Sequence, residues 1–268
     1  MAKKLYEESS IQDIATAIRE KNGTTTKYKV AEMGAAVRDL PTGGGNPFEV
    51  FESLESFKLS DNSTITELVA NIPNVTSLSR SFASTKSTPL TRVELTVSDK
   101  LTDISLMFGN IAAYYLTEIV FKGNFSKVQS VRNAFSCGGT GPNRNLKKIV
   151  GLDFTSVTNA GGAFVLQYGL TDIEIKANTV NISLDLSSQE ALNIASCVNV
   201  FNALKDRTGQ DALTLTLNAA LKTADTGMIY ANYVKLDAST NLYVACESTD
   251  AGAVTIAAAI TAKNWTIA

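Results

Sequence analysis

Histidine is absent from the 268-residue chain, which removes the commonest general base and the commonest neutral metal ligand. Cysteine is scarce: Cys137, Cys197 and Cys246 stand far apart in no metal-ligand spacing. An odd, dispersed set is not a disulfide framework, so the three are expected as reduced, partly buried thiols. Net charge is nearly absent as well. At −2, with 24 basic and 26 acidic residues, there is no electrostatic case for nucleic acid or an anionic membrane surface as partner. No window approaches the roughly 18 apolar residues of a membrane span, so no membrane insertion is expected. Met1-Ala-Lys-Lys opens basic, but Leu5-Tyr-Glu-Glu-Ser-Ser follows where a secretory signal needs an apolar segment. Synthesis in the cytoplasm without a signal peptide is the expectation, with any role outside a cell reached by lysis or as part of a particle.

Catalytic sets are missing too. Carboxylate pairs such as Glu7/Glu8, Glu52/Glu55 and Asp211/Asp225 have nothing to hold them at working distance. Ser79-Arg-Ser and Ser187-Ser lack a histidine partner, and Asp61, Asn62 and Ser63 do not form a calcium-loop spacing. The Gly run in Thr42-Gly-Gly-Gly-Asn-Pro has no Lys-Ser/Thr after it and no strand before it, so it reads as a joint and not as a phosphate loop. The expectation is a non-enzyme with no cofactor and no metal.

What the chain does have is repetition between Ile65 and Ile175. A strand-like phrase, Leu-x-x-Ile/Val, occurs at Leu90/Val93, Leu116/Ile119, Leu146/Ile149 and Leu170/Ile173, with Ile65/Leu68 as a worn first copy. A second phrase, apolar-x-x-apolar-x-x-x-Phe, follows at Val75/Leu78/Phe82, Leu101/Ile104/Phe108, Val128/Val131/Phe135 and Val157/Ala160/Phe164. Self-similarity at such a period means a solenoid. Alternation in the first phrase predicts a strand with one buried face. The i, i+3, i+7 spacing of the second predicts a helical turn or short helix. Stacked repeats then cover one another, with the strands in a parallel sheet and the Phe column as the opposite wall. This is the logic of a leucine-rich repeat.

The flanks differ from the repeats. Residues 1–41 read as a helical hairpin, with Ile11, Ile14 and Ile18 on one apolar side and Val30, Met33 and Val37 on the other. Helices so short need a partner surface, either the rest of the chain or another subunit, and these six residues are the candidate attachment set. Residues 42–58 form a Gly-rich linker and lead-in, 59–186 the solenoid, and 187–268 a small mixed α+β cap. After the last repeat phrase Val180–Leu186 alternates as a strand; in the cap, Ser187 or Ser188 caps a helix to about Arg207, and Leu213–Leu217 is another strand. Strands at 233–236 and 242–246, an Ala-rich helix over 250–262 and a Trp265 strand complete it. The fold class expected is an α/β solenoid, with a leucine-rich-repeat-like parallel sheet and short helices.

The N-terminal run Leu5-Tyr-Glu-Glu-Ser-Ser-Ile-Gln-Asp-Ile-Ala-Thr-Ala-Ile-Arg-Glu-Lys-Asn-Gly-Thr-Thr, followed by Tyr28-Lys-Val-Ala-Glu-Met-Gly-Ala-Ala-Val-Arg, resembles a module of tail proteins from phages and prophages of Gram-positive bacteria. The central repeats resemble leucine-rich repeats of the BspA type. Ala203-Leu-Lys-Asp-Arg-Thr-Gly, Leu213-Thr-Leu-Thr-Leu-Asn and Ala262-Lys-Asn-Trp-Thr-Ile-Ala resemble the segment that closes such repeats in phage proteins. The resemblance implies a virion component of the tail or baseplate, partnered by other tail or baseplate proteins and by a host cell-surface protein or polysaccharide. It leaves a homo-oligomer open. A purely structural tail component and a bacterial surface interaction protein are the alternative readings.

One surface stands out by position. The residue before the second apolar site of each strand phrase runs Glu67, Arg92, Glu118, Lys148, Asp172, alternating in sign; the next outward row includes Glu94, Val120, Val150 and Glu174. Opposite charges on neighbouring strands lock register. A repeat protein's sheet also commonly serves as its binding face. Both readings stay open, and these nine residues form the candidate interaction face.

Overall fold

The computed structural model describes residues 59, 65–82, 89–108, 115–136, 145–165, 168–223 and 227–268. The chain divides into two units, Met1–Val50 and Phe51–Ala268, and every described residue belongs to the second. The hairpin, the linker and the attachment residues Ile11, Ile14, Ile18, Val30, Met33 and Val37 lie outside the described residues, as does Cys137.

Strands β1 (Glu67–Asn71), β2 (Arg92–Val97), β3 (Glu118–Gly123), β4 (Lys148–Leu152) and β5 (Asp172–Ile175) form one five-stranded sheet in sequence order. Every pair in it is parallel. The Leu of each phrase lies just before its strand and is fully buried, at Leu90, Leu116, Leu146 and Leu170. The alternating residues Val93, Leu95, Ile119, Phe121, Ile149 and Ile173 point into the same core. Threonine at the strand entrance adds a hydroxyl rung: Thr91 and Thr117 each donate Oγ1 to the carbonyl of the preceding repeat, both at 2.9 Å.

The second phrase is where the structure departs from expectation. No described residue between 65 and 190 is helical. Each second phrase is instead a pair of tight turns laid against the preceding and following copies. Ser77, Asp103, Ser130 and Asn159 are joined in succession by parallel bridges. Backbone N–H groups of Leu78, Ile104 and Val131 donate to Asp103, Ser130 and Asn159 in the next repeat, at 2.8, 3.0 and 2.9 Å. Phe82, Phe108 and Phe135 donate onward to Met107, Ala134 and Ala163. The wall is thus held from repeat to repeat, the arrangement of a parallel β-solenoid, and not along a helix axis. One backbone feature shows why a helix cannot form. Five residues after each phrase begins, φ is positive: Arg80 at 58°, Leu106 at 55°, Asn133 at 49° and Gly162 at 66°. A left-handed residue between the second apolar site and the Phe ends any right-handed turn.

The Phe column itself is present. Phe82, Phe108, Phe135 and Phe164 are all at most 1% exposed. Phe82 stacks on Phe108 with ring centroids 4.7 Å apart, and Phe135 on Phe164 at 5.4 Å. Such pairs contribute about 0.5–1.5 kcal/mol each beyond their burial.

The C-terminal part continues the same hydrophobic cluster, which runs unbroken from Ala70 to Trp265. Strands β6 (Leu184–Leu186), β7 (Leu213–Leu217) and β11 (Trp265–Ile267) form a parallel sheet in the order β11-β7-β6. Strands β8 (Tyr233–Asp237), β9 (Leu242–Cys246) and β10 (Val254–Thr255) form an antiparallel one in the order β10-β8-β9. Helix α1 is Ile194–Ala203, shorter than the 187–207 span expected, with short helices α2 (Ala219–Lys222) and α3 (Met228–Ala231) and the Ala-rich α4 (Ile256–Ala262). Asn193, not Ser187 or Ser188, caps α1, accepting from Ser196 N at 2.8 Å. Its far end stops at Ala203, six residues before Gly209. There the Lys263 ammonium donates to Phe201 O and Leu204 O, at 3.1 and 2.8 Å, and sits 4.5 Å from the Phe201 ring centroid.

Helix α1 also closes the outer edge of β5. Ile173 N donates to Ser196 Oγ at 3.0 Å and Ile175 N to Asn199 Oδ1 at 2.7 Å, while Asn193 N donates to Thr171 O at 3.1 Å. Farther along, Asn202 pairs both ways with Tyr243 of β9, giving Nδ2 to its carbonyl at 2.8 Å and accepting its N–H at 2.9 Å. Four polar residues spaced three apart thus stand in for neighbouring strands.

Candidate interaction face

The charged row assembles in register. Glu67 is opposite Arg92, Arg92 opposite Glu118, Glu118 opposite Lys148, and Lys148 opposite Asp172. In the second row Glu94 is opposite Val120 and Val120 opposite Val150. Pairing then shifts between Ile149 and Leu152, so that Val150 and Gly151 together face Glu174. Gly151 makes this bulge possible, with φ at +85°.

The middle of the face is an ion-pair network. Arg92 Nε reaches Glu118 at 2.7 Å while its guanidinium also pairs with Glu94. Lys122 reaches Glu94 at 2.5 Å and Lys148 reaches Glu118 at 2.9 Å. The Lys122 ammonium, then Arg92, hold Glu94 below the usual carboxylate range; Lys148, then Arg92, do the same for Glu118. Glu118 in turn raises Lys148, with smaller contributions from Asp172 and Glu174. Two members expected as open surface are in fact covered: Glu94 and Val120 are each only 9% exposed. The long side chains of Arg92 and Lys122 fold onto Glu94 to pair with it. The outermost positions are open, with Val69 63% exposed.

At its β5 end the face meets α1 across an open groove of about 270 Å³. Lys148, Val150, Asp172 and Glu174 line one side, and Ala195, Ser196 and Asn199 the other. Four of the nine residues picked from the sequence therefore meet in one concavity. Their α1 partners were missed, and so was Lys122. The signal for Lys122 was available, since it is the third outward residue on β3, opposite Thr96. No linear signal brings α1 to β5.

Cys197 is buried, its thiol pushed up to about 12 by that burial, with Sγ 3.5 Å from Met228 Sδ. Among the described residues, no group of three or more His, Cys, Asp or Glu could hold a metal ion, and no helix is long and apolar enough to cross a membrane.

No family model, curated protein or solved structure matches the chain.

Proposed function

We propose that this is a non-enzymatic tail or baseplate component of a phage or prophage, whose repeat region recognises the surface of a Gram-positive host. In this reading residues 1–41 form a helical hairpin that attaches to the particle, and 42–58 a joint. Residues 59–186 form a leucine-rich-repeat-like module, and 187–268 its cap. The observation that carries it is the sheet face: a row of alternating charges, held in register over five parallel strands and ending in a groove. A ladder kept only for register would end at the sheet edge; here the edge carries carboxylates that no described cation pairs with. The N-terminal resemblance supplies the particle context.

Binding of the full chain to intact host cells and to tail particles lacking it tests the reading. The wild-type chain binds both. Glu174→Lys weakens cell binding and leaves particle binding unchanged, whereas Ile14→Asp does the reverse. A chain that binds particles but never cells is a structural component, and the adhesion proposal falls.

A further inference from the structure

The groove between β5 and α1 has a chemistry more specific than a generic surface. We infer that it receives a lysine side chain of a partner protein, an inference that rests on the sheet face being a recognition surface.

The argument begins with charge. Asp172 and Glu174 are two residues apart on β5, so both project onto the same side of the sheet, about 7 Å apart along the strand. Lys148 is opposite Asp172 in register and lines the same groove; its ammonium is bonded to Glu118 Oε1 at 2.9 Å and interacts more weakly, through charge alone, with Asp172 and Glu174. From described residues Asp172 accepts only neutral hydrogen bonds, from Thr171 Oγ1 at 2.6 Å and Asn193 Nδ2 at 2.9 Å. Glu174 is exposed and accepts no hydrogen bond from any described residue. The alternation that neutralises the middle of the face therefore runs out here, leaving two carboxylates beside one concavity against a single cation that is already bonded to Glu118.

Shape and donors narrow the occupant. Half-buried Val150 and exposed Ala195 give the groove apolar walls. A four-carbon stem ending in a compact ammonium with three donors suits apolar walls leading to a pair of acceptors. The Asn199 carbonyl is used by Ile175 N, which leaves its amide nitrogen to donate outward. Such a donor suits the backbone carbonyl beside a lysine, which favours a polypeptide over an isolated amine.

The test is ¹H–¹⁵N NMR of the full chain titrated with Nα-acetyl-lysine methylamide, with the norleucine analogue and glucosamine as comparators. Saturable shifts confined to residues 172–174 and 195–199 are expected for lysine and not for norleucine. Glu174→Gln, at an exposed position with no hydrogen bond to lose, weakens lysine binding at least about tenfold, equivalent to roughly 1.4 kcal/mol. Absence of lysine shifts, equal shifts from norleucine, an unaffected Glu174→Gln variant, or tighter binding of glucosamine each overturns the inference, the last by assigning the amine to a sugar. Lysine binding by a chain that fails to bind cells supports the groove and counts against the host-surface reading. Cell binding without lysine binding does the opposite.

Discussion

Replacing Gly151 by alanine isolates the backbone geometry that offsets the last two strands of the sheet. Gly151 has φ at +85°, and a Cβ added there would stand 1.9 Å from Phe121 O and 2.8 Å from Phe121 C. Both atoms belong to the backbone of β3, so no side-chain rotation relieves the contact. Gly252 supplies the control: its φ is +77°, and an added Cβ would meet nothing within 4 Å. The two substitutions share the left-handed penalty of about 1–2 kcal/mol. They also share the gain of about 0.4–1 kcal/mol from a stiffer unfolded chain. What remains in the difference is crowding. To reach ordinary contact β4 must retreat from β3 by more than an ångström, which costs about 1–3 kcal/mol as overpacking and about 1 kcal/mol for each ladder hydrogen bond lost.

Gly151→Ala is therefore expected to destabilise by about 2–4 kcal/mol more than Gly252→Ala. Gly123→Ala, whose Cβ would stand 2.2 Å from Val97 O, belongs with Gly151. Urea unfolding at equilibrium measures this, followed both by far-UV circular dichroism and by the single tryptophan, Trp265, which is 2% exposed. Coincident transitions validate the comparison. If Gly151→Ala and Gly252→Ala agree within about 0.5 kcal/mol, the additivity error for distant sites, the bulge does not depend on a missing side chain and the reasoning is refuted.

Three further outcomes follow from the same contacts. Glu94 and Glu118 are depressed by the cations paired with them, and Asp153 is depressed because hydrogen bonds from Lys176 and Thr155 outweigh the upward push of its burial. Their stabilisation is full above the ordinary carboxylate range near 4–4.5 and is lost as pH falls through their folded values; the urea midpoint should drop between pH 7 and pH 3, less so in Glu118→Gln, and an unchanged midpoint contradicts the network. Lys263 behaves oppositely: burial lowers it to about 8 from an ordinary 10.5, Asp206 opposing. The folded state then holds fewer protons than the unfolded one between those values, so its contribution to stability rises with pH across that window; a Lys263→Met variant should lose this rise, and an identical alkaline profile in both proteins removes the assignment. Asn202→Leu strands the Tyr243 N–H and carbonyl and should cost about 1–3 kcal/mol for each group left unpaired, seen as a lower melting temperature; a neutral result means Asn202 does not act as a strand substitute.

Strand positions and register were legible because a two-residue alternation has one structural solution when one face is buried. The Leu-x-x-Ile phrase located β2 to β5 and aligned Arg92, Glu118, Lys148 and Asp172 on neighbouring strands. The wall opposite was not legible in the same way. Apolar residues at i, i+3 and i+7 satisfy a helix, but they equally satisfy tight turns whose N–H groups bond to the carbonyl three residues back, as Met107 to Ile104 and Ala134 to Val131. The discriminating residue is the left-handed one. Asn133 and Gly162 are types that favour it, whereas Arg80 and Leu106 occupy the same place and give no warning. Burial of Glu94 was hidden for a different reason: an outward-facing carboxylate looks solvated until the long cations beside it, Arg92 and Lys122, fold across it.

Helix α1 shows how a correct rule can assign a face wrongly. Asn193, Ser196, Asn199 and Asn202 fall on one side of the helix, and by amphipathic reasoning a polar stripe faces water. Here Ser196 and Asn202 are buried at 4% and 9% exposure, because a sheet edge is a polar surface made of backbone. The solenoid ends where β5 presents N–H groups with no sixth strand to accept them, and an exposed edge of that kind invites pairing with other chains. Leucines on α1 would fill the space and leave those donors unbonded, at about 1–3 kcal/mol each. Ser196 Oγ and Asn199 Oδ1 accept from Ile173 N and Ile175 N and still allow a helix to cover the core. Ser196 and Asn199 also line one side of the groove, so the element that terminates the repeat shapes the concavity in which Asp172 and Glu174 are both found. Closure of the edge and construction of the proposed binding site are thus the same packing event.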